Sequence, residues 1–372
     1  MIKVGITGQN GFVGRHLKNT LKLNEEQFEL IPFDRVFFEC SEKMQDFVSK
    51  CDVIVHLAGL NRHENPEFIY STNVDLVKKL IEALEASQSS AHVIFSSSSQ
   101  EEKNNLYGAS KKEGRKLLEE WAVNNKGTFT GMIIPNVFGP FGKPFYNSVV
   151  ATFCHQLAND LSPKIENDAT LHLIYVSELI DNIVEDILTR TSNFEKRIPY
   201  TSVIKVSELL SLLQMFKEEY QERGKIPVLK SVFETHMFNT YRSYINIKTH
   251  YPVKYEQHVD ARGSFVEIAR LGIGGQVSFS TTKPGITRGN HYHTRKIERF
   301  SVIKGEALIQ LRQIGSDEVL EFYLNGDEPA YVDMPIWYTH NIKNIGKETL
   351  YTNFWINEPY NPKDPDTYFE TV

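Results

Sequence analysis

Two stretches of this chain carry side chains whose types and spacing could do chemistry. From Gly285 to Gly305 the sequence reads GITRGNHYHTRKIERFSVIKG, which sets His291, His293 and Glu298 close together, and His340 follows in PIWYTHNIKN. Histidines at i and i+2 point to one face of a strand, so both can converge on a single ion. Three imidazoles and a carboxylate suit zinc, iron, nickel or manganese, and ligand type does not choose among them. The second stretch is Tyr107-Gly-Ala-Ser-Lys111, whose tyrosine and lysine share one helix face at i and i+4. An ammonium beside a phenol would stabilise the phenolate, lowering a pKa of about 10 so that the tyrosine can donate and recover a proton near neutral pH. Ser98, in the serine run just before it, could orient a reacting carbonyl.

Both sets need elements to hold them. Ile2 to Thr7 reads as a buried strand, followed by Gly8, Gly11 and Gly14 and then the helical VGRHLKNTLKL. Glycine lets backbone approach a pyrophosphate, and the helix N-terminus beyond offers N–H groups and positive potential. A second strand, FELIPF, ends at Asp34, at the roughly 20-residue spacing that places a carboxylate on the adenosine ribose hydroxyls. Arg35 beside it could instead pair with a 2′-phosphate, and Arg15 adds charge nearby, so the residues leave NAD against NADP open. Strands DVIVHLAG and HVIFSSSSQ alternate with helices NVDLVKKLIEALEAS and KKEGRKLLEEWAV, a pattern that predicts a parallel sheet wound on both faces. His56 reads as a packed strand-end residue, and Arg62 and His63 as a solvated loop. The Pro/Gly-rich GPFGKPFYNSVVATF supplies Lys143, Tyr146 and Asn147, and SELLSLLQMFKEEYQERG reads as a helix that starts at Ser207 and Glu208 and stops at Gly224.

The alternation fades between about Lys225 and Gln257, and from Asp260 the pattern is short strands separated by Gly and Pro, which predicts an all-β sandwich or barrel. The expected domains are 1–245 and 246–372. A net charge of −6 and a pI near 6.1 give no basic footprint for nucleic acid or anionic membrane. Cys40, Cys51 and Cys154 are odd in number, far apart and without a CxxC, which argues against a disulfide framework and fits a reducing cytoplasm. No apolar run reaches membrane-spanning length and no cleavable leader is recognisable, so the expectation is a cytoplasmic protein with no membrane partner.

The first 245 residues resemble the extended short-chain dehydrogenase/reductase family, in the branch that works on nucleotide sugars. The likeness rests on TGQNGFVG at 7–14, HLAG at 56–59, Asn73, Ser98, YGASK at 107–111 and PNVFGP at 135–140. It implies a Rossmann-like sheet and a nicotinamide site formed by Gly8, Gly11, Phe12, Val13, Gly14, Asp34, Arg35, Leu57, Ala58 and Lys111. It also implies a catalytic triad of Ser98, Tyr107 and Lys111, and substrate contacts from Asn136, Lys143 and Asn147. Many relatives have an arginine at the start of the PNVFGP segment, where Ile134 and Pro135 stand here.

Farther on, Gly285, His291, His293, Glu298 and Gly305 match the first cupin motif, and Pro335, His340 and Asn344 match much of the second. Trp337 stands where glycine is usual, and no glycine lies six residues before Pro335. DARGSF at 260–265 and KPGITRGNHYH at 283–293 are similar to the cupin epimerases of deoxy-keto nucleotide sugars, in which a histidine of this kind is the base. Here His291 belongs to a metal set with His293, Glu298 and His340, which leaves Lys283, Tyr331, Asp333 and Tyr338 as candidate bases. A reductase joined to a cupin resembles, over the whole chain, the bifunctional enzymes of bacterial capsule and O-antigen sugar synthesis. That likeness implies NADPH rather than NADH, Zn²⁺, a homodimer, and UDP-2-acetamido-2,6-dideoxy-β-L-arabino-4-hexulose as substrate, a UDP-linked 4-keto-6-deoxy amino sugar. The implied chemistry is epimerisation at C3 followed by reduction at C4, to UDP-2-acetamido-2,6-dideoxy-L-talose on the way to UDP-N-acetyl-L-fucosamine. Two other readings fit the same motifs: a single-activity NAD(P)-dependent dehydratase or 4-epimerase with a structural cupin, and a non-catalytic sugar-nucleotide sensor.

Overall fold

The computed structural model describes residues 1–260, 263–266, 268, 274–358 and 361–372. Positions 261 and 262 of the DARGSF stretch therefore lie outside the described residues. Met1–Thr152 with Ile165–Glu208 forms one compact unit, and Phe153–Lys164 with Leu209–Val372 forms the other. Compactness thus draws its line earlier in the chain than the expected boundary at 245, because the helical residues from 209 onward gather with the strands.

In the first unit, strands β1 (Ile2–Thr7), β2 (Phe28–Ile31), β3 (Val53–His56), β4 (His92–Ser98) and β5 (Phe129–Ile134) alternate with helices α1 (Phe12–Lys22), α2 (Ser41–Ser49), α3 (Pro66–Ala86) and α4 (Leu106–Asn125). Then come β6 (Asn136–Phe138), α5 (Val149–Ala158), β7 (Thr170–Tyr175), α6 (Val176–Thr189), β8 (Asn193–Arg197), β9 (Ser202–Lys205) and α7 (Val206–Phe216), with α5 and α7 each running from one unit into the other. The main sheet is parallel throughout, in the order β2-β1-β3-β4-β5-β8. Both faces are covered, which is why β3 and β5 are buried along their whole length and apolar but for His56 and Thr130. Ile54, Val93 and Phe95 face Val77, Leu80, Leu118 and Trp121 of α3 and α4. Val53, Val55 and Ile94 face Leu17 and Leu21 of α1 and Ile180 and Ile183 of α6. This is the doubly wound Rossmann-like sheet the alternating pattern predicts, and it presents the C-terminal ends of its strands as a crevice.

The second unit carries α8 (Val232–Arg242), α9 (Ile247–His250), a short β10 (Val253–Lys254) and the β11 (Gln257–Asp260) and β12 (Gly263–Val266) pair. The strands β13 (Gln276–Thr282), β14 (Thr287–Tyr292), β15 (Glu298–Lys304), β16 (Glu306–Gln313), β17 (Val319–Asn325), β18 (Ala330–Met334), β19 (Tyr338–Asn344), β20 (Leu350–Ile356) and β21 (Tyr368–Phe369) follow. They form two five-stranded sheets, β10-β18-β15-β20-β13 and β17-β16-β19-β14-β21, antiparallel in every pairing. Val302, Ile309, Leu311, Val332, Met334 and Ile342 make one apolar core from both sheets, a cupin-like arrangement. Gly305, at φ +93, makes the turn between β15 and β16, and Gly224, at φ +64, ends the helical run begun by α7.

On the face of β15 and β18 opposite that core lies a buried ionic network. Arg299 and Asp333 are direct cross-strand partners, joined by two hydrogen bonds of 2.8 and 3.0 Å. The Tyr220 hydroxyl donates to Asp333, Arg242 donates to that hydroxyl at 3.0 Å, and the Tyr251 hydroxyl lies 3.0 Å from it. Arg299 also stacks 3.8 Å from the Tyr331 ring centre. Burial pushes the Asp333 carboxyl up, but Arg299 outweighs it and holds the group below the usual carboxylate range. Its contribution to stability is therefore in place above the ordinary carboxylate pKa and is lost as pH falls through the lower folded value. Asp333→Ala leaves two guanidinium groups buried without their counter-charge and should cost about 3–5 kcal/mol. Denaturant unfolding followed by the fluorescence of Trp337 and Trp355 measures the loss, and an unchanged midpoint would show that the network contributes nothing.

Candidate active sites

The glycine turn leads from β1 into α1 and packs against the residues that follow β3. Gly8 sits at φ +76, where an added Cβ would lie 2.8 Å from Ala58 N, and one on Gly14 would lie 2.3 Å from Gly8 O. Gly11 differs. It has ordinary backbone angles, is exposed and caps α1 with no side-chain hydrogen bond, so it leaves the first turn's N–H groups available. The Thr7 hydroxyl accepts from Ala58 N at 3.3 Å, which holds Leu57 and Ala58 against the turn. Phe12 and Val13 open α1 partly buried. Asp34 lies exposed just past β2, its Oδ1 accepting from Val36 N at 3.0 Å, and Arg35 is exposed beside it. The structure brings all the expected dinucleotide residues to this one end of the sheet except Lys111, which arrives from α4.

At the start of α4, Asn105 Oδ1 accepts from Gly108 N at 2.8 Å, and Tyr107 comes close enough to Ser98, at the end of β4, to interact with it. Gly108 permits this approach, since a Cβ there would fall 1.9 Å from Gln100 O. Lys111 is 4% exposed, with Nζ 5.0 Å from the Phe95 ring centre and 3.3 Å from where a Cβ on Gly59 would stand. Asn73 fixes that loop by accepting from Leu60 N at 2.6 Å and donating to Leu60 O and the Ser110 hydroxyl, each at 3.0 Å. The expected depression of the phenol does not occur. Burial pushes Tyr107 up to about 12, against the pull of Ser98 beside it, so the group stands as an acid rather than a phenolate. Burial lowers Lys111 to about 8, with Glu101 raising it. Glu101 was not foreseen. It accepts from Ser97 and forms a buried pair with Arg115 at 2.9 Å, and its place in SSSSQEE reads only as a polar turn.

Asn136, Lys143 and Asn147 are all exposed, and Lys143 Nζ lies 5.0 Å from the Tyr146 ring centre. The Tyr146 hydroxyl accepts from Asn61 N at 3.2 Å, and Arg62 donates to the carbonyls of Phe145 and Tyr146 at 2.8 and 2.9 Å. Arg62 is exposed, as a solvated loop predicts, and also ties two loops together.

In the second unit the His/Glu set converges. Ligand atoms of His291, His293, Glu298 and His340 all lie within 4.8 Å of one another. Glu298 Oε2 stands 3.9, 3.2 and 3.1 Å from Nε2 of His291, His293 and His340. His291 pairs with His340 across β14 and β19, next to an irregularity where Asn290 adopts φ +59. Three of the four ligand atoms, His293 Nε2, His340 Nε2 and Glu298 Oε2, are buried and lack hydrogen-bond geometry with any partner. Unsatisfied lone pairs converging from three imidazoles and a carboxylate fit a divalent cation at about 2.0–2.2 Å from each. Burial raises the Glu298 carboxyl and the imidazoles pull it well below the usual range. The candidate bases separate by strand parity. Asp333 and Tyr331 pair with Arg299 and Ser301, on the face of β15 opposite Glu298, and Asp333 is committed to Arg299. Tyr338 is two residues from His340 on the same face of β19, and Lys283 is exposed just past β13.

The glycine geometry yields a test. Gly8→Ala and Gly14→Ala should lower the thermal midpoint of the protein by several degrees, whereas Gly11→Ala should melt near wild type yet bind NADPH at least ~10-fold more weakly by fluorescence titration. Normal NADPH binding by Gly11→Ala would remove this turn from the cofactor site.

Residues 4–190 match the model of the NAD dependent epimerase/dehydratase family, and residues 258–368 match that of the polysaccharide biosynthesis C-terminal domain. A UDP-2-acetamido-2,6-beta-L-arabino-hexul-4-ose reductase of Pseudomonas aeruginosa is 33% identical over 370 residues, which are 99% of this chain and 98% of the reductase. The crystal structure of CapF, a capsular polysaccharide assembling protein from Staphylococcus aureus, is similar over 100% of both chains at 35% identity and a TM-score of 0.63. RMD from Pseudomonas aeruginosa, solved with NADPH, covers 58% of this chain and 83% of its own at 19% identity and a TM-score of 0.52, a likeness of fold. With residues 4–190 inside the family model and a 33% identical relative spanning 99% of its length, the chain belongs to the NAD dependent epimerase/dehydratase family.

Proposed function

We propose that the chain is a bifunctional nucleotide-sugar enzyme that uses one ketone twice. The second unit epimerises C3 of UDP-2-acetamido-2,6-dideoxy-β-L-arabino-4-hexulose, and the first then reduces the C4 ketone with NADPH to UDP-2-acetamido-2,6-dideoxy-L-talose. The observation that carries this reading is the presence of two formed sites, Ser98/Tyr107/Lys111 and the His/Glu cluster, in a chain similar from end to end to a reductase named for such a 4-ketose. The C3 proton is acidic because it lies α to the C4 ketone, and reduction removes that ketone, so epimerisation comes first. Action on a nucleotide-linked precursor suits a cytoplasmic homodimer.

A divalent cation such as Zn²⁺, held by His291, His293, Glu298 and His340, supplies positive charge to a substrate oxygen when bound. NADPH, seated on the glycine turn, supplies the hydride when bound. Tyr107, protonated at neutral pH, gives its phenolic proton to the C4 oxygen, and Ser98, beside that phenol, orients the same oxygen. Lys111 keeps a positive charge beside the reacting centre, and Lys143, Asn136 and Asn147 offer exposed polar groups to the nucleotide diphosphate. The His291 side chain is 24% exposed while His293 and His340 are sealed, so the cluster opens to substrate on the His291 side.

Tyr107→Phe should abolish NADPH oxidation on the keto sugar yet leave deuterium uptake at C3 from heavy water, and His291→Ala should lose the uptake while staying folded. Loss of both activities in Tyr107→Phe would count against two separate sites. The pH profile gives an independent check. The charged form of Lys111 is lost as pH rises through about 8, so kcat/KM for NADPH should fall above that pH. A profile flat to pH 10 would remove the lysine charge from the mechanism.

A further inference from the structure

We infer that the segment Asp364–Phe369, anchored by Asp366, is a positioning element that sets the affinity of the His/Glu cluster for its metal. This rests on the reading of His291, His293, Glu298 and His340 as a metal site. Asp366 is 2% exposed, and its carboxylate has a defined task. It accepts from the backbone N–H groups of Thr294, Arg295 and Lys296, each at 3.0 Å, and from the Thr294 hydroxyl at 2.7 Å. Those three residues are the start of the link between His293 and Glu298, so one carboxylate fixes the loop that separates two ligands.

The backbone carbonyl of Asp366 meets His293 Nδ1 in a hydrogen bond that requires the ring to donate. That contact selects the tautomer whose bare Nε2 faces Glu298, which is the orientation a metal-binding imidazole needs. Two further contacts hold the segment itself: Lys296 Nζ donates to Pro365 O at 2.8 Å, and Tyr368 and Phe369 pair with Tyr292 and His291. Asp366 sits at φ +40, a conformation that a non-glycine residue keeps only when its surroundings impose it. His291, His293 and the loop that leads on to Glu298 are thus braced by residues some seventy positions later in the chain.

The test uses the full-length protein and Zn²⁺ itself, titrated in competition with a chromophoric chelator. Wild type, Asp366→Ala and Thr294→Val should each bind a single equivalent. Affinity should fall by roughly 10–100-fold in Asp366→Ala and by less in Thr294→Val. The visible bands of the Co²⁺-loaded protein should shift in Asp366→Ala, a change that a remote loss of stability would not produce. Wild-type affinity and an unshifted Co²⁺ spectrum in Asp366→Ala would overturn the inference while leaving the metal site standing. If Asp366→Ala fails to fold, unchanged affinity in Thr294→Val overturns it instead. A wild-type protein that binds no Zn²⁺ would bring down the metal site and this inference together.

Discussion

Glu298 and Arg299 are neighbours of opposite charge, both buried, and they do not meet. The pleat of β15 sends one into the barrel and the other out the back, so each must find its counter-charge elsewhere. Much of the second unit follows from that constraint. Arg299 takes Asp333 from the adjacent strand, Asp333 takes the Tyr220 hydroxyl, and Arg242 takes the same hydroxyl from α8, so the helical segment is held to the sheet by ionic demand as well as by apolar area. On the other side Glu298 faces three imidazoles whose lone pairs it cannot satisfy as a hydrogen-bond acceptor alone, an arrangement that invites a cation.

The first unit handles a buried charge differently. Lys111 sits against Phe95 with little water, and the carboxylate that supports it, Glu101, is itself shared with Arg115. Burial lowers the lysine to about 8, and Glu101 works against that fall. Tyr107, with less help, stays protonated. A site that must deliver a proton and later recover it needs such a division between a fixed acid and an adjustable charge.

The local spacing of residues made much of this legible. The glycine turn, the tyrosine and lysine one helical turn apart and the i, i+2 histidines all sit within one element each, and the strand and helix alternation specified the doubly wound sheet. What the sequence hid was whatever depends on a partner far along the chain. Asp333 and Tyr331 looked like bases because they are chemically able, and only their register against Arg299 and Ser301 shows that they face away from Glu298. Asp366 carried no signal, since its partners lie at 293–296. The direction of the Tyr107 shift was misjudged for the same reason: spacing reveals the nearby ammonium, but burial is set by the packing of the whole unit. Leu209 to Arg242 has ordinary amphipathic helices, and periodicity does not say which core a helix joins.

The division of the chain into units has a consequence for how such a protein is taken apart. The backbone crosses from one unit to the other three times, after Thr152, Lys164 and Glu208, and α5 and α7 straddle crossings. Neither unit is a continuous length of sequence, so no single cut frees either one whole. A single cut after Glu208 would leave Phe153–Lys164 on the first fragment, away from the unit it packs with.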